Sequence, residues 1–350
     1  MTDGPFALRR LGLIAQPDPA RPEEALGILN SAATRGPDGD LYLFPRLVAA
    51  GNYSRIGRAR VVFNHAGDPM GIERLGHALE PREPYESRPG GGGGCEDPRV
   101  TWIEPLGFYA MTYVAYGPAG ARVAVAVSDD LQSWRRLGLV DFAIEPAEGV
   151  EFNAYRNKDA SFFPRPAPGP DGRESLALLH RPMYDGKPRP TGEADPRQGI
   201  WMSYCALDDV RRDTQALARV HGHRVLAEPE YGWEEEWVGG GAPPIPTSLG
   251  WLLIYHGVKK RPPRAPHERK PVVYSAGAML LDEHDPCHVL YRSPEPILEP
   301  ATPYELDGVA PDAVFPSGTD DRGDGRIDVY YGMADQRIGA ARLHLPERLP

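Results

Sequence analysis

Cysteine is scarce in this chain of 350 residues: Cys95, Cys205 and Cys287 are odd in number, far apart and without a Cys-x-x-Cys pair. That argues against a disulfide framework and against a zinc site built on paired cysteines. Long apolar runs are missing as well. No stretch approaches the roughly 20 apolar residues of a membrane-spanning helix, and the opening MTDGPFALRRLGLIAQPDP has no apolar segment of signal-peptide length. The expectation is a cytoplasmic protein with no membrane partner. Positive charge is in deficit, with a net charge of −10, whereas a nucleic-acid-binding chain presents a basic face. Nucleic acid is therefore not expected as a ligand. Helical pattern is thin: only residues 22–33 carry one. No heptad or long amphipathic helix marks a partner surface, so oligomeric state is not readable.

What is present is punctuation. Glycine and proline stand at 39 each and are spread along the chain, which cuts it into short segments. Hydrophobic types make up 41%, ample for a large core. Short apolar segments rich in aromatic and β-branched residues recur: residues 41–44, 60–63, 108–116, 122–127, 176–180, 199–205, 251–255, 272–281 and 327–331. The pair 108–116 and 122–127, joined by Gly-Pro-Ala-Gly, reads as a β-hairpin. Such hairpins repeat in units of roughly 50 to 65 residues, which favours an all-β propeller over a pair of β-sandwiches. The whole chain, 1–350, reads as one domain with a short N-terminal extension over about residues 1–35. Loops are expected at 80–94, 164–174, 185–198 and the basic stretch 259–270.

Polar residues gather where apolar strands end. Cys95-Glu96-Asp97-Pro98-Arg99 sets adjacent carboxylates between a glycine run and a strand. On an extended segment these side chains point to opposite faces, so one is expected in a cleft and the other beside Arg99. Arg156-Asn157-Lys158-Asp159 precedes an aromatic strand, and His180-Arg181 and His256 end apolar strands. An arginine at the end of a buried strand needs a partner or a ligand. Gly239-Gly240-Gly241 permits close backbone approach. It is not a phosphate loop, because no Gly-Lys-Ser/Thr follows and Pro243 and Pro244 remove donors. In a propeller such ends converge at one end of the axis. The cleft would be lined by Asp97, Arg156, Asp159, Arg181, His256 and Asp335 with aromatic walls, the equipment of a sugar site.

GCEDPRVTWI, NKDASFFP, LLHRP, GGGAPPIPT, GWLLIYHGV, AGAMLLDEHDP and IDVYYGMAD, in that order, resemble glycoside hydrolase family 130 over about residues 41–342. The resemblance implies a five-bladed β-propeller that needs no metal or other cofactor. It implies an enzyme acting on β-mannosides in an oligosaccharide or disaccharide, with inverting stereochemistry. Asp97 would be the general acid, acting in the phosphorylases through a mannose hydroxyl. Arg55, Asp159, Asp335, Tyr331 and Trp237 would contact substrate. Arg156, Arg181 and His256 match positions that hold inorganic phosphate, the co-substrate of the phosphorylases. One departure stands out: Trp237 occupies the place of a phosphorylase lysine, beside Glu234, Glu235 and Glu236. Lys259 and Lys260 are candidates to replace the lost charge.

Three readings follow. A phosphorylase transfers mannose to phosphate and needs no general base. A hydrolase needs a carboxylate base about 6.5–9.5 Å from the acid, and Glu235 or Glu236 would supply it. A sugar-binding propeller without catalysis would need the acid lost or misplaced.

Overall fold

The computed structural model describes residues 5–145, 151–185, 197–264, 268, 271–346 and 348. The chain is nearly all β and folds as a five-bladed β-propeller. Blade 1 comprises Gly27–Arg35, Leu41–Ala49, Tyr53–Phe63 and Pro69–Leu79. Blade 2 comprises Gly93–Ile103, Phe108–Gly117, Gly120–Ser128 and Arg135–Leu139. Blade 3 comprises Arg156–Phe162, Glu174–Met183, Ile200–Ala206 and Arg219–Ala227. In blade 4 the inner strand is split into Trp237–Gly240 and Ile245–Thr247, followed by Gly250–Lys260, Val272–Leu281 and Val289–Arg292. Blade 5 has Val314–Asp321, Arg326–Met333 and Arg337–His344. Its outer strand is Leu8–Ala15 from the other end of the chain, paired antiparallel with Leu8 opposite Leu343.

That closure corrects two expectations. Within the extension expected over about 1–35, Leu8–Ala15 is an outer strand and Gly27–Arg35 an inner one, and residues 1–4 lie outside the described residues. The helical pattern over 22–33 becomes a single 3-10 turn, Pro22–Glu24, and then a strand.

Each blade face packs on the next, and each of the five interfaces is a separate apolar cluster. Phe44 and Ile56 meet Met111 and Ala124 between blades 1 and 2. Val123 and Val125 meet Leu176 and Leu178 between blades 2 and 3. Leu179 and Met202 meet Leu253 and Met279 between blades 3 and 4. Ile254 and Ala278 meet Val329 and Ala341 between blades 4 and 5. Leu43 and Val61 meet Tyr330 and Ala340, which closes the ring. Each Val, Leu, Ile, Phe or Met among them, fully buried, is worth roughly 1.5–3 kcal/mol.

Beside this apolar packing, three blades carry the same buried polar triad. A glutamate on the turn leading to the inner strand takes a tyrosine hydroxyl from the second strand and an arginine from the outer one. The sets are Glu86 with Tyr113 (2.6 Å) and Arg136 (2.8 Å), Glu234 with Tyr255 (2.5 Å) and Arg292 (2.7 Å), and Glu305 with Tyr331 (2.9 Å) and Arg10 (2.9 Å). Blade 1 keeps the ion pair alone, Glu24 with Arg74 at 2.7 Å. Tyr331 is thereby placed in the blade, not on the axis, which corrects its reading as a substrate contact.

The inner strands of blades 1, 2, 3 and 5 all break step near the axis. Register slips between Leu29 and Ala32, Glu96 and Arg99, Lys158 and Ser161, and Pro316 and Gly318. At the first three bulges sits a non-glycine residue with positive φ: Asn30 (45°), Asp97 (45°) and Asp159 (55°). A bulge sets two residues against one and re-aims side chains. These three polar side chains turn to the axis.

Candidate active site

Asp97 is 5% exposed at the centre of the site. Its Oδ1 accepts from Asn30 Nδ2 at 2.9 Å and lies 3.4 Å from an Arg46 nitrogen. Glu96 is drawn to the same arginine, at 2.8 Å. Alternation along a strand would have sent these neighbours apart; the bulge at Asp97 puts both on Arg46. Arg99 does not pair with Glu96 as expected. It donates to the backbone carbonyls of Asp97 (3.0 Å), Pro98 (3.2 Å) and Gly241. With Lys158, Tyr274, Phe315 and Asp335, the residues Asn30, Arg46 and Asp97 line a pocket of ≈ 140 Å³. A roomier surface hollow of ≈ 290 Å³ beside Trp251 and Glu283 has no such cluster of buried charge.

The carboxyls of this pocket hold their protons unequally. Burial pushes Asp97 up, but Arg46, then Lys158 and Asn30, outweigh it and hold it below its ordinary value. Burial, reinforced by the charge of Asp97, raises Glu96 and Asp335 despite Arg46. Like charges crowded together cannot all ionise.

A second cluster adjoins the first. Arg181, 4% exposed, donates to Asp159 Oδ2 at 2.6 Å and to Gln198. His256, wholly buried, has Nε2 3.7 Å from Asp159 Oδ2, and neither of its ring nitrogens has a hydrogen-bond partner. Burial, only partly countered by Asp159, pushes its imidazole down to about 3, so it is neutral at physiological pH. Burial would raise the Asp159 carboxyl, but Arg181, Lys158 and His256 hold it far below the usual carboxylate range. Gly239 makes the close approach possible: a Cβ there would stand 2.4 Å from His256 and 2.6 Å from Asp159. Trp237 flanks this cluster, with Arg181 6.0 Å from its ring centroid and its Nε1 unpartnered.

The structure thus brings Asp97, Asp159, Arg181, His256, Trp237 and Asp335 around one end of the axis. Arg156 stands at the rim, half-exposed and paired with Asp185. Arg55 does not join them. It pairs with Glu80 at 3.3 Å and lies over Tyr53, because its neighbour Ser54 takes the inward face and bonds Arg46 at 2.9 Å. Glu235 and Glu236 also turn away, to the Lys260 amide (2.8 Å) and ammonium (2.6 Å). Lys259, on Glu299 at 3.6 Å, is likewise engaged elsewhere. Of the loops expected at 185–198 and 259–270, residues 186–196, 265–267, 269 and 270 lie outside the described residues.

Sequence reasoning missed Arg46, Asn30, Tyr274 and the function of Lys158. Arg46 had a signal, an arginine inside the apolar run LYLFPRLVA, the argument applied to Arg181 alone. Lys158 stands within the cluster Arg156-Asn157-Lys158-Asp159, and nothing in the sequence singles it out from its neighbours. Its Nζ lies 3.6 Å from Asp97 Oδ2 and 3.9 Å from Asp159 Oδ1. Burial, which depresses an ammonium, is outweighed there by Asp159 and Asp97, which raise it.

A buried acid held by a bulged inner strand, next to a cluster of cations, equips a propeller to break a glycosidic bond. The comparisons agree. A family model described as beta-1,4-mannooligosaccharide phosphorylase matches residues 9–349. A 1,2-beta-oligomannan phosphorylase of Thermoanaerobacter sp. (strain X514) is 32% identical over 330 residues, covering 93% of this chain and 92% of its own. The structure of a beta-1,2-mannobiose phosphorylase from Listeria innocua with beta-1,2-mannobiose superposes with a TM-score of 0.71 at 24% identity, covering 97% of each chain. The chain belongs to glycoside hydrolase family 130, and it is an enzyme.

Proposed function

We propose that the protein is an inverting β-mannoside phosphorylase, converting a β-mannosyl sugar and inorganic phosphate to α-mannose 1-phosphate and the released sugar. The carrying observation is the adjacency of one buried acid, Asp97, to a cationic cluster of Lys158, Arg181 and the unpartnered His256. In this reading mannose occupies the pocket of Asn30, Arg46, Asp97 and Asp335. Phosphate enters on the side of Lys158, Arg181 and His256, with Arg156 at the rim, and attacks the anomeric carbon as the aglycone leaves from the opposite face. Asp97 supplies the proton that the leaving oxygen takes. The hydrolytic reading is weakened by the two glutamates offered as its base, since Glu235 and Glu236 both bond Lys260. No metal or organic cofactor enters the scheme.

The test is product analysis from β-1,2- and β-1,4-linked mannobiose with and without inorganic phosphate. The expected product is α-mannose 1-phosphate, formed only when phosphate is present. Free mannose released equally fast without phosphate would overturn the reading in favour of hydrolysis, and binding without turnover would favour a sugar-binding module.

A further inference from the structure

Asp97 presents a difficulty that the scheme above leaves open. A general acid must carry a proton when the bond breaks, yet its surroundings hold this carboxyl ionised. Two of its three contacts are fixed. Arg46 is 9% exposed and tied also to Ser54 and Glu96. Asn30 sits in its own strained bulge. The third contact is of another kind. Lys158 is bound to Asp97 at 3.6 Å and to Asp159 at 3.9 Å, distances of an ion pair without a direct hydrogen bond. Its side chain is 24% exposed, the most open of this set. It stands between the mannose pocket and the cation cluster. On the far side Asp159 Oδ1 and both nitrogens of His256 lack hydrogen-bond partners. The other groups facing Lys158 are Arg181 from blade 3, Tyr274 from blade 4, and Glu96 and Asp335 across the pocket.

Resting on the phosphorylase reading, we propose that Lys158 is a positioning residue that links phosphate binding to the loading of the acid: phosphate draws the ammonium away from Asp97, and the carboxylate takes up a proton from solvent. The lysine has four rotatable bonds and a compact charge, and a dianion beside Arg181 and His256 is the stronger partner for it. Asp97 then loses a cation and gains a negative neighbour, and both changes favour the protonated carboxyl. The proton taken up in this step is the one later delivered toward the leaving oxygen, which restores the carboxylate. By linkage, a protonated Asp97 must also favour phosphate binding. Among the described residues Lys158 is the lysine of this cluster, since Lys259 and Lys260 pair with Glu299 and Glu236.

The experiment is calorimetric titration of the intact protein with inorganic phosphate, in buffers of different ionisation heat at one neutral pH, comparing wild type, Asp97→Asn, Lys158→Met and Lys158→Arg. Subtracting Asp97→Asn removes the protons that belong to phosphate itself. Wild type is expected to take up more protons per phosphate than Asp97→Asn. Lys158→Met should lose that difference, and Lys158→Arg should keep part of it. The pH profiles give a second reading. In wild type the alkaline limb of kcat should lie about one pH unit or more above that of kcat/KM for phosphate, and the gap should close in Lys158→Met. A wild-type difference of zero, or an undiminished one in Lys158→Met, would overturn the coupling. Failure of phosphate to bind or to be consumed by wild type would instead overturn the phosphorylase reading.

Discussion

The molecule buries carboxylates in two settings, and they contrast. In the blades, Glu86, Glu234 and Glu305 each meet one arginine, one tyrosine hydroxyl and the amides of their own turn. At the axis, Asp97, Asp159 and Asp335 sit at positive φ, crowd one another and share cations. Asp159 keeps an oxygen with no hydrogen-bond partner. A satisfied buried pair is held for structure; an open one is held for a ligand. The fold uses the same chemical groups for both, and what separates them is how many partners each oxygen finds. Burial alone would not have told Glu305 from Asp159, since both are almost fully buried.

The sharpest break in this comparison is one substitution in each setting. Asp97→Asn is expected to lower kcat about 10²- to 10⁴-fold, with cooperative thermal melting retained. Arg136→Met should do the reverse. It strands Glu86, whose side chain is wholly buried, at a cost of about 3–5 kcal/mol. That cost is read as a lower urea midpoint, with kcat per folded molecule unchanged. If Arg136→Met abolished turnover in molecules shown to be folded, the division between blade and axis would fail.

Much of this plan was legible in the sequence, and the losses share a cause. The strands and the convergence of their polar ends rest on period-2 pattern and on the cost of burying charge, whereas the roles given to Asp97, Arg181 and His256 rest on the family resemblance. Each bulge breaks that period. In blade 1 the bulge at Asn30 interrupts the alternation along Gly27–Arg35, and that strand read as the end of a helix over 22–33. In blade 2 the bulge at Asp97 puts Glu96 on the same side, against the alternation rule. In blade 3 it leaves Lys158 and Asp159 both turned toward the site. Tyr331 differs for another reason: it lies four residues before Asp335 in sequence, and its own strand carries its hydroxyl to Glu305 in the blade triad.

Smaller effects sharpen the contrast. His256→Ala removes a buried neutral imidazole without a present partner, so stability should change little by loss of a bond. The KM for phosphate should rise about tenfold or more, the value of one hydrogen bond to a charged group, while the KM for the mannoside stays put. The blade triads should show in acid. Burial alone would raise Glu86 and Glu305, but Arg136 and Arg10 with the surrounding donors hold both below the ordinary glutamate value. A depressed folded-state pKa gives stability that is complete above the unfolded value of about 4.3 and is lost as pH falls through the folded one. Melting temperature should therefore drop below that pH, and Glu305→Gln should flatten the drop while lowering the plateau at neutral pH.

The smallest expected effect separates the family resemblance from the geometry. Matching motifs puts Arg55 on mannose, whereas the strand turns it outward to Glu80, which is 45% exposed, and leaves the inward face to Ser54 and Arg46. An exposed pair of this kind contributes about 0–1 kcal/mol, so Arg55→Ala should change the KM for mannoside by less than about threefold. Arg46→Ala should raise it far more, because it strips Glu96 and Asp97 of their shared cation. Measured side by side, equal losses from both variants would mean that Arg55 swings inward when sugar binds. A loss confined to Arg46 would make the inward arginine of the neighbouring strand the one that holds the sugar pocket together.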